Sequence, residues 1–360
     1  MFRLNATPLG GPLRQDRCND PPTPSPARTD PVPRHPRFDP LQEDQGPDPL
    51  DAVFGAQGMT VGLITPLEAY AESPVPTLEG HAAAARRAEE AGFASIWLRD
   101  VPFFDPKFGD AAQIMDPLVY AGFLAAQTRT ITIGTAGIVL PLREPIAVAK
   151  QAATIDMLTQ GRFILGLSSG DRPAEYPAFG MPFNKRADRF REAFRLIRKL
   201  HGEAFPRGKT QGFGTLSGDL DLLPKPQEGL LPMIAVGRAG QTVPWIAKNA
   251  DAWIWTVDDP KSVAKILNDL KAASGKRRPP PYGYSTFLDL DRNPDAPARR
   301  DHNVLRIGRK ALLARLQQQA AQGVKHVAFN LRPSRRPAER IIDEMGAHIL
   351  PALARPSRKR

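Results

Sequence analysis

The chain has 360 residues, of which 41% are hydrophobic, and it carries a formal charge of +11 and a single cysteine. That composition supplies one large core, but no run approaches the ~20 apolar residues of a membrane span, and Cys18 alone cannot close an internal disulfide. The opening MFRLNATPLGG has no apolar stretch of the kind that marks export, so a reducing, cytoplasmic setting is expected.

Residues 1–50 contain twelve prolines and almost no apolar periodicity. Such a segment buries too little to offset its ordering entropy, and it is expected to be a disordered extension. A barrel-sized domain over 51–352 and a basic tail over 353–360 complete the expected organisation. Met59, where the pattern changes, would serve as a start codon of its own.

From there β-rich runs alternate with amphipathic ones. Strands are predicted at TVGLIT (60–65), SIWLR (95–99), ITIGT (131–135) and RFILGLS (162–168), then PMIAV (232–236), AWIWTV (252–257), GYSTFLDL (283–290) and VKHVAFNL (324–331). Helices are predicted over 78–92, 114–127, 145–158, 186–201, 241–249, 261–273, 309–322 and 337–349. Strict alternation with apolar strands argues a parallel sheet covered by helices. Eight units point to a closed (β/α)₈ TIM barrel, with a doubly wound open sheet as the alternative. Two connections exceed simple turns: 202–231 after helix four and 291–307 after strand seven, both read as lids, hairpins or oligomer contacts. The irregular, aromatic segment 100–113 follows strand two on the face where barrel enzymes place their chemistry.

Residues 1–58 hold six arginines against eight acidic residues, so the remainder carries about +13. The excess lies in SGKRRPPPYG, LRPSRRPAER and RPSRKR, without interleaved aromatics, zinc-ligand spacing or a helix-turn-helix pattern. It reads as a solvated basic surface, not a specific nucleic-acid site. The chain contains no dinucleotide-binding glycine motif after its first strand, no Walker loop and no HExxH. Its six histidines show no metal spacing, and His326, inside strand eight, reads as a core residue. Any enzymatic chemistry is expected to depend on a bound cofactor.

Small residues end strands four and five. In SSGDR, Ser168, Ser169 and Gly170 let backbone amides approach a phosphate, and Gly237 in VGRAGQT repeats the arrangement, with Thr242 at a helix start. Arg172, Arg186 and Arg238 are the candidates to neutralise that charge. Ordinary βα turns also favour Gly and Ser, so either turn alone is ambiguous.

The block 131–180 resembles the central segment of the bacterial luciferase-like flavin oxidoreductases. The resemblance rests on Gly134-Thr135, Pro141-Leu142-Arg143, Pro145, Ala149-Lys150, Asp156, Gly161-Arg162-Phe163 and Gly170. LLPKPQEG and VGRAGQT extend it, and in all it spans roughly residues 53–350. It implies a barrel, a flavin cofactor and a non-proline cis peptide in the strand-three bulge, here at Ala136–Gly137, against which the flavin ring rests. Thr65, Trp97 and Thr135 join the implied cofactor-binding set. One departure stands out: where luciferases carry a Glu-His pair after strand two, this chain has Asp100 and Val101. Asp100 and Arg99 are thus the catalytic candidates, unless they pair with one another. The resemblance implies a monooxygenase of a small-molecule substrate, using reduced FMN from a separate NAD(P)H-dependent flavin reductase. A deazaflavin-dependent hydride transfer and a non-catalytic flavin-binding protein are the alternatives. Related barrels commonly form homodimers or higher homo-oligomers.

Overall fold

The computed structural model describes residues 48–55, 58–227 and 229–354. The expectations for residues 1–47 and for the tail beyond 354 fall outside those residues. Eight parallel strands close on themselves: β1 (Thr60–Ile64), β2 (Ser95–Leu98), β3 (Thr132–Thr135), β4 (Phe163–Ser168), β5 (Met233–Val236), β6 (Trp253–Trp255), β7 (Tyr282–Leu290) and β8 (His326–Asn330). Each pairs with the next, and β8 returns to β1 through Thr60 opposite His326, so the architecture is a TIM barrel. The principal helices are α1 (His81–Glu90), α2 (Pro117–Gln127), α3 (Pro145–Leu158), α4 (Arg186–Gly202), α5 (Val243–Asn249), α6 (Pro260–Ser274), α7 (Arg309–Gln322) and α8 (Ala338–His348).

Local chemistry places the helix starts. Asp116, Glu144, Thr242 and Asp259 each accept a backbone N–H from the first turn of the helix they precede. A proline within the first two helical positions follows each one, where its missing N–H costs nothing. The two long connections contain hairpins. Arg207–Lys209 pairs antiparallel with Thr215–Ser217, and Arg299–Asp301 with Val304–Ile307, which in turn extends the sheet beside Phe287–Leu290.

The barrel lumen is filled by Ile64, Trp97, Ile164, Ile234, Ile254 and Ala328. Val53 and Phe54 join that cluster and close its floor. The Phe54 ring meets His326 edge-on at 5.5 Å. His326 is fully buried, and Trp97 Nε1 donates to its Nε2 at 3.0 Å. That bond leaves the ring proton on Nδ1, which faces Thr60 Oγ1 at 2.7 Å, and Thr60 donates onward to the Val53 carbonyl. Burial depresses the imidazole to about 3, so it stays neutral. His326 is a floor residue, sewn to the segment that plugs the barrel.

Candidate active site

The C-terminal ends of the strands form the mouth. β3 breaks after Thr135, whose hydroxyl donates to the Gly166 carbonyl at 2.7 Å and accepts from Gly166 N at 2.8 Å. The strand resumes at Ile138–Val139 beside β4. Between them Gly137 has φ +99°, and a Cβ there would stand 2.8 Å from Ser168 Cβ and 3.1 Å from Val236 Cβ. Three strand ends thus meet where no side chain fits. The expectation of a cis bond at Ala136–Gly137 is not met: among the described residues the cis bonds are Thr65–Pro66 and Leu223–Pro224. The left-handed glycine makes the break instead, while Ala136 N stays bonded to the Leu98 carbonyl at 2.6 Å.

Beyond β4, Ser168 Oγ donates to the Gly137 carbonyl at 3.0 Å, and the Ser169 carbonyl accepts from the Tyr176 hydroxyl. Gly170 turns the chain at φ +68°, with room for no Cβ, since one would lie 2.7 Å from Val139 Cγ1. Beyond β5, Gly237 leads into Arg238 and Ala239, and Ala239 is held at φ +49°, a strained conformation for a residue with a Cβ. The buried Gln241 amide staples this turn to α4, donating to the carbonyls of Ala187 at 2.9 Å and Ala239 at 3.1 Å. Arg238 donates to the Gln241 carbonyl at 3.2 Å with its guanidinium 5.7 Å over Trp255, and Thr242 caps α5 by accepting from Trp245 N.

The start of α4 lies in the same place. No side chain caps it. Its first residue, Arg186, stacks 3.7 Å over the Phe183 ring and donates through Nη1 to the Phe183 carbonyl, while its buried Nε has no partner among the described residues. Ser168, Ser169, Gly170, Arg186, Gly237, Arg238 and Thr242 are therefore brought into one neighbourhood. An uncapped helix N-terminus beside an unsatisfied guanidinium donor favours an anion.

Other candidates lie elsewhere. Arg172 pins the segment after β2, donating to the Phe103 carbonyl at 3.3 Å and lying 4.6 Å over the Phe108 ring. Trp97 is turned down into the lumen, packed so closely on Gly134 that a Cβ there would come within 2.3 Å of its ring. Thr65 is buried, its hydroxyl 3.0 Å from Gln113 Oε1. Gln113 in turn accepts from Arg99 N at 3.1 Å and so shapes the exit of β2.

Arg99 and Asp100 do not pair with one another. Asp100, with its side chain 1% exposed, accepts from Val139 N at 2.8 Å and from Arg143 Nε and Nη2 at 2.9 and 2.7 Å. Arg143 also reaches Asp116 at 2.8 Å, which links the end of β2 to the cap of α2. Arg99 pairs with Asp110 at 2.5 Å, and Tyr70 donates to the same carboxylate at 3.1 Å. Burial would raise the Asp110 carboxyl, but Arg99 beside it holds it below the usual range. A cleft of about 480 Å³, lined by Asp100, Val101, Met115, Arg143 and Phe179 among others, opens at this side.

Sequence reasoning missed two residues here. Arg143 was visible only as part of a matched motif, with nothing to name its partner. Glu175 sits on the short helix Glu175–Ala178 after the β4 turn and is 4% exposed. Burial pushes its carboxyl up to about 6. Among the described residues no group of three or more His, Cys, Asp or Glu could hold a metal ion, and no helix is long and apolar enough to cross a membrane.

The sequence pattern of the luciferase-like monooxygenases matches residues 59–351, and the chain belongs to that family. An uncharacterised protein of Mycobacterium tuberculosis is 34% identical over 242 residues, which cover 61% of this chain and 82% of that relative. Two solved structures share the fold. An F420-dependent secondary alcohol dehydrogenase, in complex with an F420-acetone adduct, superposes with a TM-score of 0.67 at 18% identity, over 82% of this chain and 99% of its own. The oxygenating constituent of 3,6-diketocamphane monooxygenase from Pseudomonas putida, in complex with FMN, gives 0.63 at 13% identity, over 83% and 100%.

Proposed function

We propose that the protein is a flavin-dependent monooxygenase that draws reduced FMN from a separate NAD(P)H-dependent flavin reductase and oxygenates a small organic substrate. The observation that carries this reading is the junction of the β4 and β5 turns with the uncapped start of α4. The start of α4 carries the buried Nε of Arg186, without a partner among the described residues, and the β4 turn admits no Cβ at Gly170, a setting suited to the terminal phosphate of FMN. When bound, the cofactor supplies electrons to molecular oxygen, one atom of which goes to the substrate.

The chain's own residues do the rest. Arg186 and Arg238 neutralise phosphate charge, Ser168, Ser169 and Gly237 provide close backbone, and Thr242 presents the start of α5. Thr135, Ala136 and Gly137 form the break in β3 that takes the flat face of a ring. Thr65 and Trp97 support that face from the β1–β2 side and from the lumen. Asp100, fixed by Arg143, and Arg99, fixed by Asp110, orient substrate at the β2 exit. The loop carrying Phe103 and Phe108, tied down by Arg172, excludes water.

A second reading, deazaflavin-dependent hydride transfer, is favoured by Val101, which cannot move a proton where luciferases have a histidine. Fluorescence titration with FMN and with a deazaflavin, followed by oxygen uptake with an NAD(P)H-dependent reductase, separates the two. Saturable FMN binding with oxygen uptake supports the first. Binding of the deazaflavin alone selects the second.

A further inference from the structure

Four buried carboxyls are held by charged donors: Asp100 by Arg143, Asp110 by Arg99, Asp258 by Arg300 and Arg315, and Asp289 by Arg335. Glu175 differs: among the described residues it alone has a buried carboxyl oxygen, Oε1, without a hydrogen-bond partner. Arg172 Nη1 stands 3.9 Å away, too far for a hydrogen bond.

The reason Arg172 does not close that gap is visible. Its guanidinium lies over Phe108, and Nη1 donates to the Phe103 carbonyl at 3.3 Å. The aromatic loop after β2 and the Glu175 carboxyl therefore compete for one cation. Other charge around Glu175 is negative: Asp100 from the end of β2, Asp105 from the loop and Asp171 from the β4 turn. Tyr176 beside it faces Arg186. Burial, reinforced by those three carboxylates, raises Glu175 to about 6 despite Arg172.

We infer that Glu175 is the proton donor of the mouth, and that its loss of the proton unlatches the aromatic loop through Arg172. The inference rests on the mouth being the reacting site of the proposed enzyme. With the loop down, Arg172 is engaged by Phe103 and Phe108, and Glu175 is neutral. The O–H bond of Glu175 breaks as a new one forms on a basic oxygen of the bound substrate, which leaves a carboxylate. That carboxylate draws Arg172 off the loop, and the mouth opens. Water then returns a proton to Glu175, and Arg172 goes back to the loop. Neighbouring groups are unsuited to the task, because Asp100 and Asp110 are engaged by Arg143 and Arg99 and Val101 carries no proton.

Infrared titration of the full chain without cofactor reads the carboxyl directly. The expected result is a protonated-carboxyl band with a midpoint of about 6 that is absent in Glu175→Gln. Arg172→Met should move the midpoint up, and Phe108→Ala, which frees Arg172, should move it down. In turnover with reduced FMN, Glu175→Gln should lose on the order of 10²-fold in kcat and the alkaline limb of the pH profile, with FMN affinity within about twofold. Identical carboxyl titrations in the wild type and Glu175→Gln, or midpoints unmoved in both Arg172→Met and Phe108→Ala, would overturn the inference. Failure of the wild type to bind FMN overturns the flavin reading alone, because the titration is read without it.

Discussion

Arg186 and Gly170 flank one turn, and substitutions there should fail for different reasons. Arg186→Ala removes a cation with a free buried donor. Gly170→Val drives a side chain into Val139 Cγ1, 2.7 Å from the new Cβ, at a backbone angle that valine resists. Each should weaken FMN binding at least about tenfold, or ~1.4 kcal/mol, within what one charged hydrogen bond supplies. Fluorescence titration checks both, and unchanged affinity in the pair would remove the phosphate from this turn. Asp100→Asn keeps the shape of its side chain, so FMN affinity should hold while turnover falls on the order of 10²-fold, the cost of a misplaced substrate. An equal fall in Arg143→Met would show that Asp100 acts by positioning its neighbours. Glu175 also makes a stability prediction. Its folded-state value of about 6 lies above the ordinary 4.5, so the stability tied to its proton is complete below 4.5 and is lost as pH rises through 6. Glu175→Gln, always neutral, should melt with the wild type near pH 4 and about 1–3 °C above it near pH 8, by differential scanning calorimetry.

Among the elements, strands and helices are legible because most barrel strands are short, largely apolar runs and four of the principal helices start at an acid or threonine with a proline close behind. The break in β3 is also foreshadowed, in the run Gly134 to Gly137. What stays hidden depends on closure. Asp100 and Arg143 lie 43 positions apart, and only the neighbouring of β2 and β3 in a closed sheet brings them together. Adjacency leaves open a pairing of Arg99 with Asp100, yet alternation along the β2 exit sends them to different partners, Asp110 and Arg143. Arg172 likewise looks like a phosphate ligand in SSGDR, but the aromatic loop claims it. Asp116 joins these levels, since it caps α2 through Leu118 N and Val119 N and also pairs with Arg143. Asp116→Ala should therefore cost about 1–2 kcal/mol in urea unfolding, the upper range for a cap. A loss within ±0.5 kcal/mol, usual for a plain surface site, would show that the Arg143 link adds nothing.

At the scale of the whole molecule, the boundary of the folding unit follows from Val53 and Phe54. The expected domain start at residue 51 includes them, but a lone apolar pair beside a proline-rich stretch has no period to place them in the lumen. A chain beginning at residue 48 should keep its melting temperature within about 1 °C. One beginning at Met59 loses both side chains from the lumen, each worth roughly 1.5–3 kcal/mol, and removes the Phe54 ring from His326. That chain should melt at least about 5 °C lower, and equal melting of the two would show the floor plug to be ornamental. The same floor has a geometric consequence. Gly58 and the Leu353 carbonyl are so close that a Cβ on the glycine would lie 2.5 Å from that oxygen. The lead-in to β1 and the final helix, Leu350–Ala354, thus leave the barrel side by side, at the end away from the mouth. A surface tether attached at either place would hold the protein upright with its mouth facing solution. A reductase fused at either place would release its labile product behind the barrel, and that product would have to diffuse around the helices to reach the site.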